Sequence, residues 1–188
     1  LFKGSERWPT SRELSEVIEG VGGILNGGTD KELTIYWTKV ARLHFPLAGD
    51  LLADMLLHPR FRADDVEKER QVIIEEINMS RDSPSQLVDL LIDEVLWPQQ
   101  ALGRDVGGSR ETVSSFTRQG LVDYRARQYL PTNTVVSVAG DVEHQEVVDR
   151  ISRYFSSWSK GEPQRLYPAQ DSQDAPRLKV ENKDIEQV

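Results

Sequence analysis

The stretch GILNGGTDKELTIYWTKV, residues 23–40, decides the fold. Its two halves flank a polar tip, Thr29-Asp30-Lys31-Glu32, and the second half is the β-branched and aromatic run Leu33-Thr34-Ile35-Tyr36-Trp37-Thr38. Such residues suit a pleated, half-buried surface, and a polar tip between two runs is a hairpin signal. The pattern predicts a pair of antiparallel strands in a chain whose other apolar residues recur at helical intervals.

Upstream, Thr10 and Glu13 stand at capping-box spacing, with Leu14, Val17, Ile18 and Val21 following along one helix face until Gly20, Gly22 and Gly23 end it. Downstream, Leu47, Leu51 and Met55 recur every four residues beside Ala48 and Leu52. They predict a core helix over 45–57 that His58-Pro59 terminates. A longer helix is expected from Asp64 or Asp65 to Arg81, its opening acids matched to the positive end of the helix dipole. Asp82-Ser83-Pro84 breaks it ahead of a helix carrying Leu87, Leu90, Leu91, Val95 and Leu96. After a glycine-rich loop, 103–108, come a short helix over 110–114, a longer one over 117–128, a buried-type strand over 134–140 and an amphipathic helix over 143–155.

Prolines and polar residues make 160–176 an extended linker, and 177–181 reads as a last strand. Paired strands mixed with long helices, without regular alternation, predict an α+β fold, a mostly antiparallel sheet with helices packed on one face. The expected organisation is one domain over 1–159, the linker over 160–176, and the start of a following strand and connection over 177–188.

Lys and Arg number 23 against 31 Asp and Glu, a net charge of −8 that repels a phosphate backbone, so nucleic acid is not an expected partner. The absence of cysteine removes disulfides, thiolate nucleophiles and Cys-type zinc sites, leaving His, Asp and Glu as the only metal ligands. No apolar run approaches the roughly 18 residues of a membrane span, so no membrane partner is expected. The opening at Leu1, with no Met and no charged-then-apolar leader, reads as a cut with a segment missing upstream.

The most informative acids lie in Glu67-Lys68-Glu69-Arg70-Gln71-Val72-Ile73-Ile74-Glu75-Glu76-Ile77. In a helix Glu69 and Glu76, seven residues apart, fall within about 20° of each other and about two turns apart. Val66, Ile73 and Ile77 form the apolar stripe expected to face the core, which sets both carboxylates near a buried edge. A partly desolvated carboxylate needs a partner, and a metal or an active-site network is one such partner. The plain alternative is a solvated helix face with ordinary ion pairs. His44, His58 and His144 are isolated in sequence, so the chain contains no complete zinc site. Without a suitably placed His, a serine triad has no base. The glycine pairs lack a phosphate-loop context and read as turns.

An ordered set of segments resembles the pitrilysin/insulinase family, closest to bacterial and mitochondrial processing-peptidase members. The segments are Phe2-Lys3-Gly4-Ser5, Gly22-Gly23-Ile24-Leu25-Asn26-Gly27-Gly28-Thr29, Glu69-Arg70-Gln71-Val72-Ile73-Ile74-Glu75-Glu76, and Tyr129-Leu130-Pro131-Thr132-Asn133 leading into Val138-Ala139-Gly140-Asp141. Their order and intervals match the family over essentially the whole chain.

In that family an inverted HxxEH motif supplies two His ligands and a general-base Glu directly before the FKG segment. The resemblance implies that this motif is missing here. It implies that the third zinc ligand falls on Glu76, with Glu75 as the competing position, and that a second catalytic acid, orienting the ligands, falls on Glu69. Two imidazoles and one carboxylate leave zinc a position for water, which the metal acidifies for attack on a peptide carbonyl. Asn26, Gly27, Gly28 and Thr29 resemble the edge strand that pairs with the substrate backbone. The implied function is that of a zinc endopeptidase domain acting on extended peptides, inactive as it stands; the alternative is a non-catalytic peptide-binding or assembly subunit. Implied partners are a peptide substrate and a second homologous half-domain or subunit; surface that truncation exposes is expected to make the isolated piece self-associate as a homo-oligomer. The expected compartment is the cytoplasm, with the mitochondrial matrix as the alternative.

Overall fold

Thr10 opens helix α1 (Ser11–Glu19) with the expected capping box: its hydroxyl accepts the Glu13 amide at 3.2 Å, and the Glu13 carboxylate accepts the Thr10 amide at 2.9 Å. Replacing Thr10 by alanine is expected to cost about 0.5–2 kcal/mol, read as a lower midpoint in urea; an unchanged midpoint would mean that packing alone holds the helix. Leu14 and Ile18 are the buried residues of this helix.

The Gly23 amide donates back to Ile18 at 2.8 Å, and the chain enters β1 (Ile24–Thr29), which pairs antiparallel with β2 (Thr34–Lys39) from Ile24–Lys39 to Thr29–Thr34. The Asp30 amide closes the tip onto the Leu33 carbonyl at 2.8 Å. A short 3₁₀ turn, Arg42–His44, leads into α2 (Phe45–Leu57), and α3 (Ala63–Asp82), α4 (Pro84–Leu96), α5 (Arg110–Ser115), α6 (Arg118–Gln128) and α7 (His144–Tyr154) follow. This computed structural model describes residues 1–162, 166–171 and 173–183. The α+β class with an antiparallel hairpin is as the sequence predicts.

The chain forms two compact units, Leu1–Glu69 with Phe116–Arg165, and Arg70–Ser115 with Leu166–Val188, the division falling inside α3. In the first unit Leu14, Ile18, Ala48, Leu51 and Met55 make the core, with Phe2, Trp8, Leu25 and Val40 packed against it. The face of α2 that carries Gly49 lies so close to α7 that a Cβ there would meet the Tyr154 ring at 2.8 Å, and the Tyr154 hydroxyl donates to the Pro46 carbonyl at 2.9 Å. From α6 the Arg125 guanidinium donates to the Leu56 and Leu57 carbonyls, a cation on the negative end of α2. Burial lowers its pKa.

In the second unit Ile74 and Ile77 of α3 bury against Val113 of α5, with Ile73 beside them. Arg70 donates to the Val113 and Ser114 carbonyls, and Arg177 donates to the Val95 carbonyl of α4 at 3.0 Å.

The expected strand over 134–140 does not form. Residues 134–139 pair with no strand among the described residues, and Val135 is 91% exposed instead of buried. A β-branched run supplies local preference, but a ladder needs a neighbouring strand within reach. The expected strand at 177–181 is likewise unpaired; Arg177 and Lys179 are engaged by α4 instead. Parts of the expected linker and closing segment, 163–165, 172 and 184–188, lie outside the described residues.

Candidate active site

Both candidate acids lie on α3, as the spacing predicts, with Glu69 at the end of the first unit's share of the helix and Glu76 in the second unit's share. The buried stripe, however, is Ile74 with Ile77, not Val66, Ile73 and Ile77. Val113 packs on the side where Ile74 projects, which rotates the buried face by about 50° away from the acids. Glu76 is correspondingly exposed, and among the described residues its carboxylate has no hydrogen bond or ion pair.

Glu69 is half-buried and has a partner that periodicity does not reveal: the Lys3 ammonium stands 2.7 Å from its carboxylate. The sequence signal for this contact was the FKGS segment, whose Lys3 has no role in a purely helical reading of the acids.

The candidate substrate strand is β1. Only one of its edges is paired, to β2, so among the described residues the other edge presents unpaired backbone groups. Asn26 and Gly28 lie on the exposed side, whereas Leu25 packs on the core and Gly27 lies against the Phe2 ring. A Cβ at Gly27 would meet the Ile35 carbonyl at 2.9 Å and Phe2 at 3.0 Å, so this position needs glycine for close approach. The Asn26 side chain accepts the Gly27 amide at 2.7 Å. Next to it Phe2, Tyr36 and Tyr129 form an aromatic row, and the two tyrosine hydroxyls lie 2.9 Å apart. Burial, then the Tyr129 hydrogen bond, raises the Tyr36 pKa above its ordinary value.

The histidines do not join these acids. His58 is hydrogen-bonded to the buried Asp54 at 3.1 Å, His44 sits in the 3₁₀ turn, and His144 opens α7. Among the described residues no group of three or more His, Cys, Asp or Glu is arranged to hold a metal ion. The donors present therefore do not fit zinc by themselves: an exposed Glu76 is one ligand where a catalytic zinc needs three from protein. Among the described residues no helix is long and apolar enough to cross a membrane.

The model of "Insulinase (Peptidase family M16)" matches residues 1–110, and that of "Peptidase M16 inactive domain" matches residues 115–188. An uncharacterised zinc protease of Mycobacterium leprae is 40% identical over 157 residues, covering 84% of this chain and 35% of the relative. One from Mycobacterium tuberculosis is 36% identical over 193 residues, covering 100% of this chain and 43% of the relative. This chain thus spans less than half the length of either relative. The crystal structure of a protease from Helicobacter pylori superposes with a TM-score of 0.82 at 21% identity, over 90% of this chain and 41% of that one, a likeness of fold. With a family model covering more than half its length, the chain belongs to the insulinase family of peptidases, family M16.

Proposed function

We propose that this chain is part of a zinc-dependent endopeptidase that hydrolyses extended peptides, contributing an acidic helix and a substrate-pairing strand. The observation that carries this reading is the free edge of β1 in a chain that also holds Glu69 and Glu76 on one helix. An unpaired strand edge binds an extended peptide through main-chain hydrogen bonds, with little regard to side chains. In this reading Asn26, Gly27, Gly28 and Thr29 pair with the peptide. Glu76 is the carboxylate ligand of zinc. Glu69 holds the surroundings of that ligand in place, with Lys3 compensating its charge. The histidine ligands come from outside these residues, and a second homologous half or subunit completes the binding chamber. The chain by itself does not hydrolyse peptides.

The test is peptide cleavage by a protein of the relatives' full length. Cleavage that a chelator abolishes and zinc restores is the expected result; cleavage indifferent to chelation overturns the reading. The free edge of β1 can bind a peptide without any chemistry, which supports a second reading, a non-catalytic peptide-binding or assembly subunit. That reading is supported if the full-length protein protects the β1 amides from hydrogen exchange on adding peptide yet never cleaves it.

A further inference from the structure

Asp54 is a buried carboxylate with no part in the chemistry proposed for Glu69 and Glu76. Its side chain is 6% exposed, on the side of α2 that also buries Ala48, Leu51 and Met55, where an apolar residue would pack without a desolvation cost. Two partners hold the charge there. Its Oδ2 accepts the Arg7 amide at 3.1 Å, and its Oδ1 lies 3.1 Å from the His58 Nδ1, about one helical turn on. The Arg7 side chain reaches back to Asp50 of the same helix and lies over the Trp8 ring at 4.7 Å.

Both partners belong to segments that continue the same contact. The Glu6 amide donates to the His58 carbonyl at 2.9 Å, the Arg60 amide donates to the Gly4 carbonyl at 3.1 Å, and the buried Ser5 between them is bridged to Pro59. Within the turn the Ser5 amide donates to the Trp8 carbonyl at 2.8 Å, and the Ser5 hydroxyl accepts the Trp8 amide at 3.3 Å. Residues 4–8 are thereby pinned to residues 58–60, with the Asp54 carboxylate bonded to both. Lys3 directly precedes the pinned turn, and α3, which starts at Ala63 just beyond the other segment, carries Glu69. Each member of the Lys3–Glu69 pair, 2.7 Å apart, therefore hangs on a segment that Asp54 holds. All of these residues lie in the first unit. We propose that Asp54 is a positioning residue: through the Arg7 amide and His58 it sets the turn 4–8 against the entry to α3, and so brings Lys3 onto Glu69. Its bearing on catalysis rests on the peptidase reading of Glu69.

The acylation rate of the Lys3 amine by acetic anhydride, read by peptide mass spectrometry with Lys39 as internal reference, tests this in the 188-residue chain without any need of activity. Asp54→Ala is expected to raise the Lys3 rate about two- to fivefold, the protection that an exposed ion pair gives, and Glu69→Gln to raise it equally. Asp54→Asn keeps an oxygen for the Arg7 amide and an amide group for His58, so it should return the rate close to that of the wild type. His58→Ala removes one partner from a half-exposed site and should raise the rate even if Asp54→Ala does not fold. An Asp54 that merely stabilises would lower the urea midpoint and leave Lys3 labelling alone. Unchanged labelling in folded Asp54→Ala, or in His58→Ala, overturns the proposal. In a full-length protein that cleaves peptide, Asp54→Ala should lower kcat about tenfold with KM changed by less than about twofold. In a Lys3→Gln background it should add less than about twofold, because both substitutions act on one pair; additive effects overturn the proposal. Raised labelling together with a full-length protein that never cleaves peptide would contradict the peptidase reading while supporting the placement of Lys3 by Asp54.

Discussion

Glu76→Gln in a full-length protein is expected to lower kcat/KM for an extended peptide by more than about a hundredfold, beyond the 10–100-fold typical of partners that only orient a metal ligand. Glu75→Gln is expected to change it by less than about threefold. The two residues are neighbours with the same chemistry, and both are exposed on α3, so neither substitution disturbs a packed core. They differ by about 100° around the helix axis, and only Glu76 shares its face with Glu69. Glutamine keeps the shape and the helix preference of glutamate while removing the charge. A difference between the variants therefore reports what lies opposite that face. Equal effects would remove Glu76 from the site; a larger effect at Glu75 would shift the ligand assignment by one residue.

Leu51→Ala is expected to destabilise the first unit by roughly 2–5 kcal/mol, the cost of a large-to-small change at a site with no solvent contact. Leu51 is 0% exposed at the centre of the cluster with Leu14, Ile18 and Met55. The same cluster supports Leu25 and Phe2, hence the inner face of β1 and the ring against Gly27. The unfolding midpoint in urea should fall, and exchange of the β1 amides should accelerate with it. A loss below 1 kcal/mol would mean that the core relaxes around the cavity.

Local patterns carried most of the fold. The capping box at Thr10 and Glu13, the apolar spacing of α2 and the β-branched run of β2 each act over a few residues, and each element forms close to its predicted bounds. What depends on distant partners was less legible. Residues 134–139 have the composition of a strand, but a strand exists only where another edge meets it. The buried stripe of α3 illustrates the same limit. Val66, Ile73, Ile74 and Ile77 all suit a core, and only the position of Val113, remote in sequence, selects Ile74. The Lys3–Glu69 pair joins residues far apart in the chain, and no periodicity within α3 points to it. The candidate acids themselves were legible through spacing, whereas their roles came from resemblance: helical geometry alone permits a solvated face, and Glu76 is indeed solvated in the described residues.

Metal analysis decides whether α3 belongs to a metal centre. Full-length wild-type protein and its Glu76→Gln variant, purified in parallel and dialysed against trace zinc, should differ, with about one zinc per wild-type chain and far less in the variant, as expected when one of three protein ligands is lost. Equal zinc content in the two proteins would contradict the assignment of Glu76 and return the acids of α3 to an ordinary solvated helix face.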